Sequence, residues 1–229
     1  MTRLGLLTIT LFLSMTTTNF GDFNMAASSS ICEPWMQLID GSQFFLLKPK
    51  IKSSQIDMIA CVLSRIPRFA GHTLQHYSVA QHCVVVHDIA RRRMLDKNVT
   101  MPFRRDIRLA ALLHDAHEAF VGDMTSPMKS AITELIGEKA FREIDSITEK
   151  IDVQIAKAFG FATSWFYSEE IKYADLAALA TEKRDLMVPS DEPWIDMPEP
   201  EKFLLRAWPA AEAEDWFLKT YHNIASSYT

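Results

Sequence analysis

Residues 105–120 read RDIRLAALLHDAHEAF, and the placement of polar side chains in this stretch decides how the chain is expected to fold. Ile107, Ala110, Ala111, His114 and Glu118 recur at helical spacing, which predicts one helix from Arg105 to Phe120. Its inward stripe carries an imidazole and a carboxylate where apolar residues are the rule. Burying such groups is costly unless they are paired, hydrogen-bonded or bound to a metal.

The same pattern recurs on both sides of this stretch. Tyr77 to Arg93 repeats the helical spacing through Val79, His82, Cys83, Val86, Ile89 and Ala90, so His82 lies on an apolar face. Further on, Ser168 can cap a helix with Glu169 and Glu170 in its first turn, running to about Leu186 before Pro189. There Asp175 shares the inward face with Ile171, Ala178, Leu179 and Glu182. Two more helices are plain by comparison. Gln55 to Ser64 places Ile56, Ile59, Ala60 and Leu63 on one side, with Ser54 and Asp57 in a capping-box-like pair. Ala131 to Phe159 presents Ile144, Ile147, Ile151 and Ile155 and meets a stop at Gly160. Strand signal is confined to Ser42–Leu47, so the predicted class is all-α.

The 229 residues are 48% hydrophobic, enough for one good core. A formal charge of -5 gives no general attraction to nucleic acid or to an acidic membrane surface, so neither is an expected partner and any phosphate binding must be local. Cys32, Cys61 and Cys83 are odd in number and form no CxxC pair, which fits neither a disulfide framework nor a thiolate zinc site and favours the reducing cytoplasm. Residues 1–30 resemble a signal peptide, with an apolar stretch from Leu4 to Met15, too short for an ordinary spanning helix, ahead of Ala26-Ala27-Ser28. They are read as a leader, or as an extension upstream of a true start at Met25, outside the fold. Residues 31–229 are expected to form a single domain.

Two imidazoles and two carboxylates, from His82, His114, Asp115 and Asp175, make a mixed nitrogen and oxygen donor set. Such a set suits one divalent ion of the Mn²⁺, Co²⁺, Fe²⁺ or Zn²⁺ kind rather than Ca²⁺. The order is His82, then the His114-Asp115 doublet, then Asp175. It is accompanied by LSRIPRFAGHT at 63–73, YSVAQH at 77–82, LHDAHEAFVGDMTSPMK at 113–129, KYAD at 172–175 and ATEKRDL at 180–186. Together these segments resemble the HD-domain phosphohydrolases, in particular the bacterial and phage 5′-deoxynucleotidases and their dATP-triphosphohydrolase-like relatives. The resemblance covers about Trp35 to the C-terminus.

That resemblance implies an HD-domain helical bundle with a metal site between helices, ligated by His82, His114, Asp115 and Asp175. It further implies Glu118 and Asp123 as the catalytic acids and Arg68 as the arginine facing the substrate phosphate, a role suited to a permanently charged planar fork. Lys129 would assist Arg68, and His72 could touch substrate. His117, where small residues are common, raises a second metal ligand. The implied reaction is hydrolysis of a nucleotide phosphate ester: a metal polarises the phosphoryl oxygen and acidifies a water, Glu118 orients or deprotonates that water, and Asp123 protonates the leaving oxygen.

One metal, one arginine and one lysine match a terminal monophosphate, so a 5′-deoxynucleotidase is the expectation. A deoxynucleoside triphosphate triphosphohydrolase is the alternative, for which Arg104, Arg105 and Arg108 would supply further charge. A nucleotide sensor and an HD-type iron oxygenase are the other readings. The presence of Glu118 and Asp123 disfavours the first, and the lack of a clear second-iron ligand set disfavours the second. Trp165, Phe166, Trp194, Trp208 and Trp216 supply apolar area that packs within the monomer or forms a homodimer face.

Overall fold

The computed structural model describes residues 33–97 and 101–227, so the reading of residues 1–30 lies outside the described residues. These residues are mostly helical, and no helix among them is long and apolar enough to cross a membrane. Strand structure is a hairpin in which β1 (Trp35–Gln37) pairs antiparallel with β2 (Gln43–Phe45) around a turn at Asp40 and Gly41. The expected extended piece at Ser42–Leu47 is thus one arm of it. Phe44 points inward and stacks on Phe120 at 4.3 Å between ring centroids.

The helices α1 (Ile56–Leu63) and α2 (Val79–Asp96) form where the periodicity placed them. In α2, the Ser78 side chain accepts from the Gln81 backbone N–H, satisfying one of the free donors of the first turn. α2 is the central element, buried from Val79 through His87, and packs against α3 (Met101–Leu113), α7 (Glu169–Leu186) and α8 (Ala210–Ser226). His82 meets His114 and His87 meets Arg108, so α2 and α3 run antiparallel. α8 has no counterpart in the sequence reading. It buries Ala213, Phe217 and Ile224, and Gln81 ties the approach to it by donating to Arg206 O and accepting from Trp208 N.

Two predicted helices are each divided. The helix expected over Arg105–Phe120 ends at Leu113. His114 to His117 form a turn, in which Ala116 N–H donates to Leu113 O and Glu118 N–H to Asp115 O, before the short α4 (Glu118–Val121). The cause is local: His114 Nδ1 takes the Ala111 carbonyl at 2.9 Å, the acceptor that an unbroken helix would offer to the next turn.

The helix expected over Ala131–Phe159 is α5 (Ser126–Ile136) followed by α6 (Glu138–Phe159), parted at Gly137, whose φ of 83° and ψ of 152° lie outside the helical region. Glycine adopts that conformation without a Cβ clash. Pro127 sits in the first turn of α5, so Thr125-Ser126-Pro127 begins a helix as well as ending the loop before it. Ile151 and Ile155 reach the core, whereas Ile144 is exposed.

Candidate metal centre

The loop ahead of α2 brings Arg68 to the start of that helix. Arg68 N–H donates to Tyr77 O at 2.9 Å and Val79 N–H to Ile66 O at 3.0 Å, closing the 66–79 segment on itself. Directly after Arg68 come Phe69 (φ 55°) and Ala70 (φ 51°), two consecutive non-glycine residues in the left-handed region. The Arg68 guanidinium carbon stands 5.5 Å from the centre of the Phe69 ring, and that ring lies 6.1 Å from Trp194.

Side chains from α2 and α7 meet His114 in the turn after α3, and Asp115 of the same turn approaches the two imidazoles. His82 Nε2 lies 3.2 Å from His114 Nε2 and 3.2 Å from Asp175 Oδ1. Asp115 Oδ2 lies 3.2 Å from His114 Nε2 and 3.5 Å from His82 Nε2. The other nitrogen of each ring is already engaged: His114 Nδ1 at 2.9 Å from Ala111 O, and His82 Nδ1 at 2.6 Å from Glu182 Oε1. A neutral ring that donates from Nδ1 presents a lone pair at Nε2. Two imidazole lone pairs and two carboxylates therefore aim at one another, an arrangement that needs a positive charge between them. His82, His114 and Asp175 can each offer a ligand atom within 4.8 Å of the others, so they could hold a metal ion.

Behind the ligands lies a buried polar layer. Glu182 is fully buried; besides His82 it accepts from Tyr77 OH at 2.8 Å, and its Oε2 stands 3.5 Å from Arg68 Nη2. This carboxylate fixes the His82 tautomer and raises the basicity of Nε2, as carboxylates behind ligand histidines do. Arg68 reaches both layers, with Nη1 3.4 Å from Asp115 Oδ2.

The charges of the site act strongly on one another. Burial opposes charge on the His114 ring, yet Asp115 beside it lifts the ring well above its ordinary value. His82 is raised as well, with burial and Arg68 opposed by Glu182 and Asp175. Burial works against the Asp115 carboxylate too, but His114, His82 and Arg68 hold it well below the usual range. Glu118 goes the other way, pushed up to about 9 by burial and by the charges of Asp115 and Asp123.

The remaining candidates fall into two groups. Glu118 is only 7% exposed, its Oε2 has no hydrogen-bond partner, and with Asp115 and His117 it offers a second set of ligand atoms within 4.8 Å. Asp123 is half-buried and raised by burial and by Asp115, with Arg68 opposing. Lys129 is exposed on the rim of a small cavity of about 100 Å³ that His117 and Glu118 also line. His72, by contrast, ends the turn after Arg68 in an exposed position, and its ring makes no hydrogen bond or ion pair among the described residues. Sequence reasoning put Glu182 on the inward face without giving it a role, and passed over Tyr77 and Asp152. Asp152 holds His117 Nδ1 at 3.0 Å and is nearly buried. The signal for Glu182 was its position seven residues after Asp175, two turns along one face.

No family model matches the chain. It is 29% identical over 194 residues to Uncharacterized protein YfdR of Escherichia coli (strain K12), covering 83% of this chain and 96% of that protein. It is also 36% identical over 100 residues to an uncharacterized protein of Rhodobacter capsulatus, covering 43% of this chain and 48% of that one.

Proposed function

We propose that the chain is a metal-dependent phosphohydrolase of the HD type that cleaves 5′-deoxynucleoside monophosphates to deoxynucleoside and phosphate. The observation that carries this reading is the grouping of His82, His114 and Asp175, whose ligand atoms lie within 4.8 Å of one another, with Asp115 Oδ2 beside the two imidazoles and an arginine beside Asp115. These four residues would hold one divalent ion. When bound it would supply Lewis acidity toward a phosphoryl oxygen and would acidify a water.

The rest of the reaction falls to side chains of this chain. Arg68, held between Asp115 and Glu182, presents a fixed planar fork to the phosphate oxygens. Glu118 orients the attacking water and takes its proton, and Asp123 protonates the ribose oxygen as the phosphorus–oxygen bond breaks. Both carboxyls are raised by burial, and proton transfer near neutral pH favours groups whose pKa is tuned upward in this way.

What supports a monophosphate over a triphosphate is the place of two arginines that could have served a longer phosphate chain. Arg105 donates to Gly160 O and Phe159 O at the C-terminal end of α6, where a cation suits the helix dipole. Arg108 donates to His87. Chromatography of reactions containing dAMP or dATP with added Mn²⁺ or Co²⁺ tests the reading. Deoxyadenosine and phosphate from dAMP are expected. Tripolyphosphate from dATP with dAMP untouched would replace the reading with the triphosphohydrolase. No phosphate release from any nucleotide would leave a sensor, and oxygen uptake by the iron form would point to an oxygenase.

A further inference from the structure

A larger cavity, of about 610 Å³, lies among α2, α3 and α8 and contains none of the candidate metal ligands. His87 and Arg108 line it together. His87 is 3% exposed, donates from Nδ1 to Asp88 Oδ1 at 3.1 Å and accepts at Nε2 from Arg108 Nε at 3.2 Å. Burial keeps this ring below its ordinary pKa, against the pull of Asp88, so it serves as a neutral acceptor that fixes the arginine. Arg108 makes no ion pair among the described residues, and its hydrogen bond to His87 leaves both terminal nitrogens free of a carboxylate. Arg91 adds a second guanidinium, loosely placed 3.9 Å from Asp88.

The opposite wall is aromatic. Trp208 and Trp216 stack with centroids 6.0 Å apart and planes 28° from parallel. Lys219, paired with Asp215, stands over the Trp216 ring, and neither residue lines the cavity. With Asp88 engaged by His87, the cavity carries one excess positive charge beside a flat apolar surface, and its volume falls within the range of small-molecule sites. His87 follows His82 by five residues, about 140° around the helix, so this cavity opens on a face of α2 different from that of the metal centre.

We propose that this cavity is a second binding site, for an aromatic phosphate of the nucleoside monophosphate class. The base packs against Trp208 and Trp216, and the phosphate sits on Arg108 and Arg91. A bound ligand touches α2 and α3, the helices that carry His82 and lead into His114-Asp115.

Calorimetric titration of the metal-free full chain with AMP, adenosine and inorganic phosphate, each alone, tests this site separately from the metal centre. Saturable binding of AMP is expected, at least tenfold tighter than either fragment. Arg108→Gln, the rim variant Arg91→Gln and Trp216→Ala should each weaken it about tenfold or more, while Arg68→Ala leaves it unchanged. Absence of saturable binding overturns the proposal. So does binding that Arg68→Ala abolishes and Arg108→Gln spares, and so does phosphate binding as tightly as AMP with no effect of Trp216→Ala. Because no catalysis is measured, the result stands apart from the dAMP and dATP test of the reaction.

Discussion

α2 and α5 are both amphipathic by sequence, yet their fates differ. α2 is enclosed by α3, α7 and α8, and even its polar residues Gln81, His82 and His87 are buried. α5 has no buried residue, and Leu135 is 83% exposed on it. The candidate ligands therefore sit on or beside elements that cannot shift without opening the core. The segment following Glu118 leaves the core, with Asp123 half-buried and Lys129 exposed. Geometry that a metal would demand is held by packing, as is Arg68, while Asp123 and Lys129 stand where they can adapt to a substrate.

The sharpest way to break this contrast is to remove a ligand from the packed half. Asp115→Ala should lose bound metal and bring turnover to background while the helical circular dichroism spectrum is kept. Full activity in metal-free protein would end the metal reading altogether. Glu118→Gln tests the boundary between the halves: metal content should stay near normal, and turnover should fall by on the order of 10²-fold. An unchanged kcat would remove Glu118 from the chemistry.

Smaller effects sharpen the comparison. Glu182→Gln leaves every ligand in place but replaces the carboxylate behind His82, and metal affinity should fall roughly 10–100-fold in a competition titration with a chelator. Wild-type affinity in that variant would reduce Glu182 to a packing role. The smallest change is expected on α5, where Leu135→Lys should alter unfolding free energy by no more than about 0.5 kcal/mol. Ile59→Ala in the core should cost about 2–5 kcal/mol. Equal losses in denaturant melts would mean that α5 is held as firmly as the core.

Much of this contrast was legible in the sequence, and unevenly so. α1, α2 and α7 announce themselves by an apolar stripe, and in α7 the serine cap at Ser168 agrees with it; the Ser78 cap of α2 was read as part of the helix. The four ligand positions stand out because each puts an ionisable group on or beside such a stripe. The turn at His114 was hidden, since a helical period does not reveal that an imidazole will take the Ala111 carbonyl. Gly137 was passed over because the isoleucine pattern was given more weight than one glycine. α8 carries the same kind of stripe in Ala213, Phe217 and Ile224, i+4 and i+7 apart, so its absence from the sequence reading was an oversight and not a missing signal. His72 drew notice because it lies in the segment before His82, but the turn after Arg68 leaves it exposed.

The left-handed pair Phe69 and Ala70 has a consequence for how this protein would respond to selection. Each non-glycine residue there costs roughly 1–2 kcal/mol relative to an ordinary conformation. Glycine at position 70 would relieve that cost, partly offset by a more flexible unfolded chain, so a search for heat-tolerant variants should arrive there readily. The same substitution would let the segment after Arg68 swivel, and the guanidinium would no longer be presented at a fixed angle. If Arg68 serves the proposed reaction, durability and turnover would pull in opposite directions at one small side chain, and a hardened version of this protein would be a slower one.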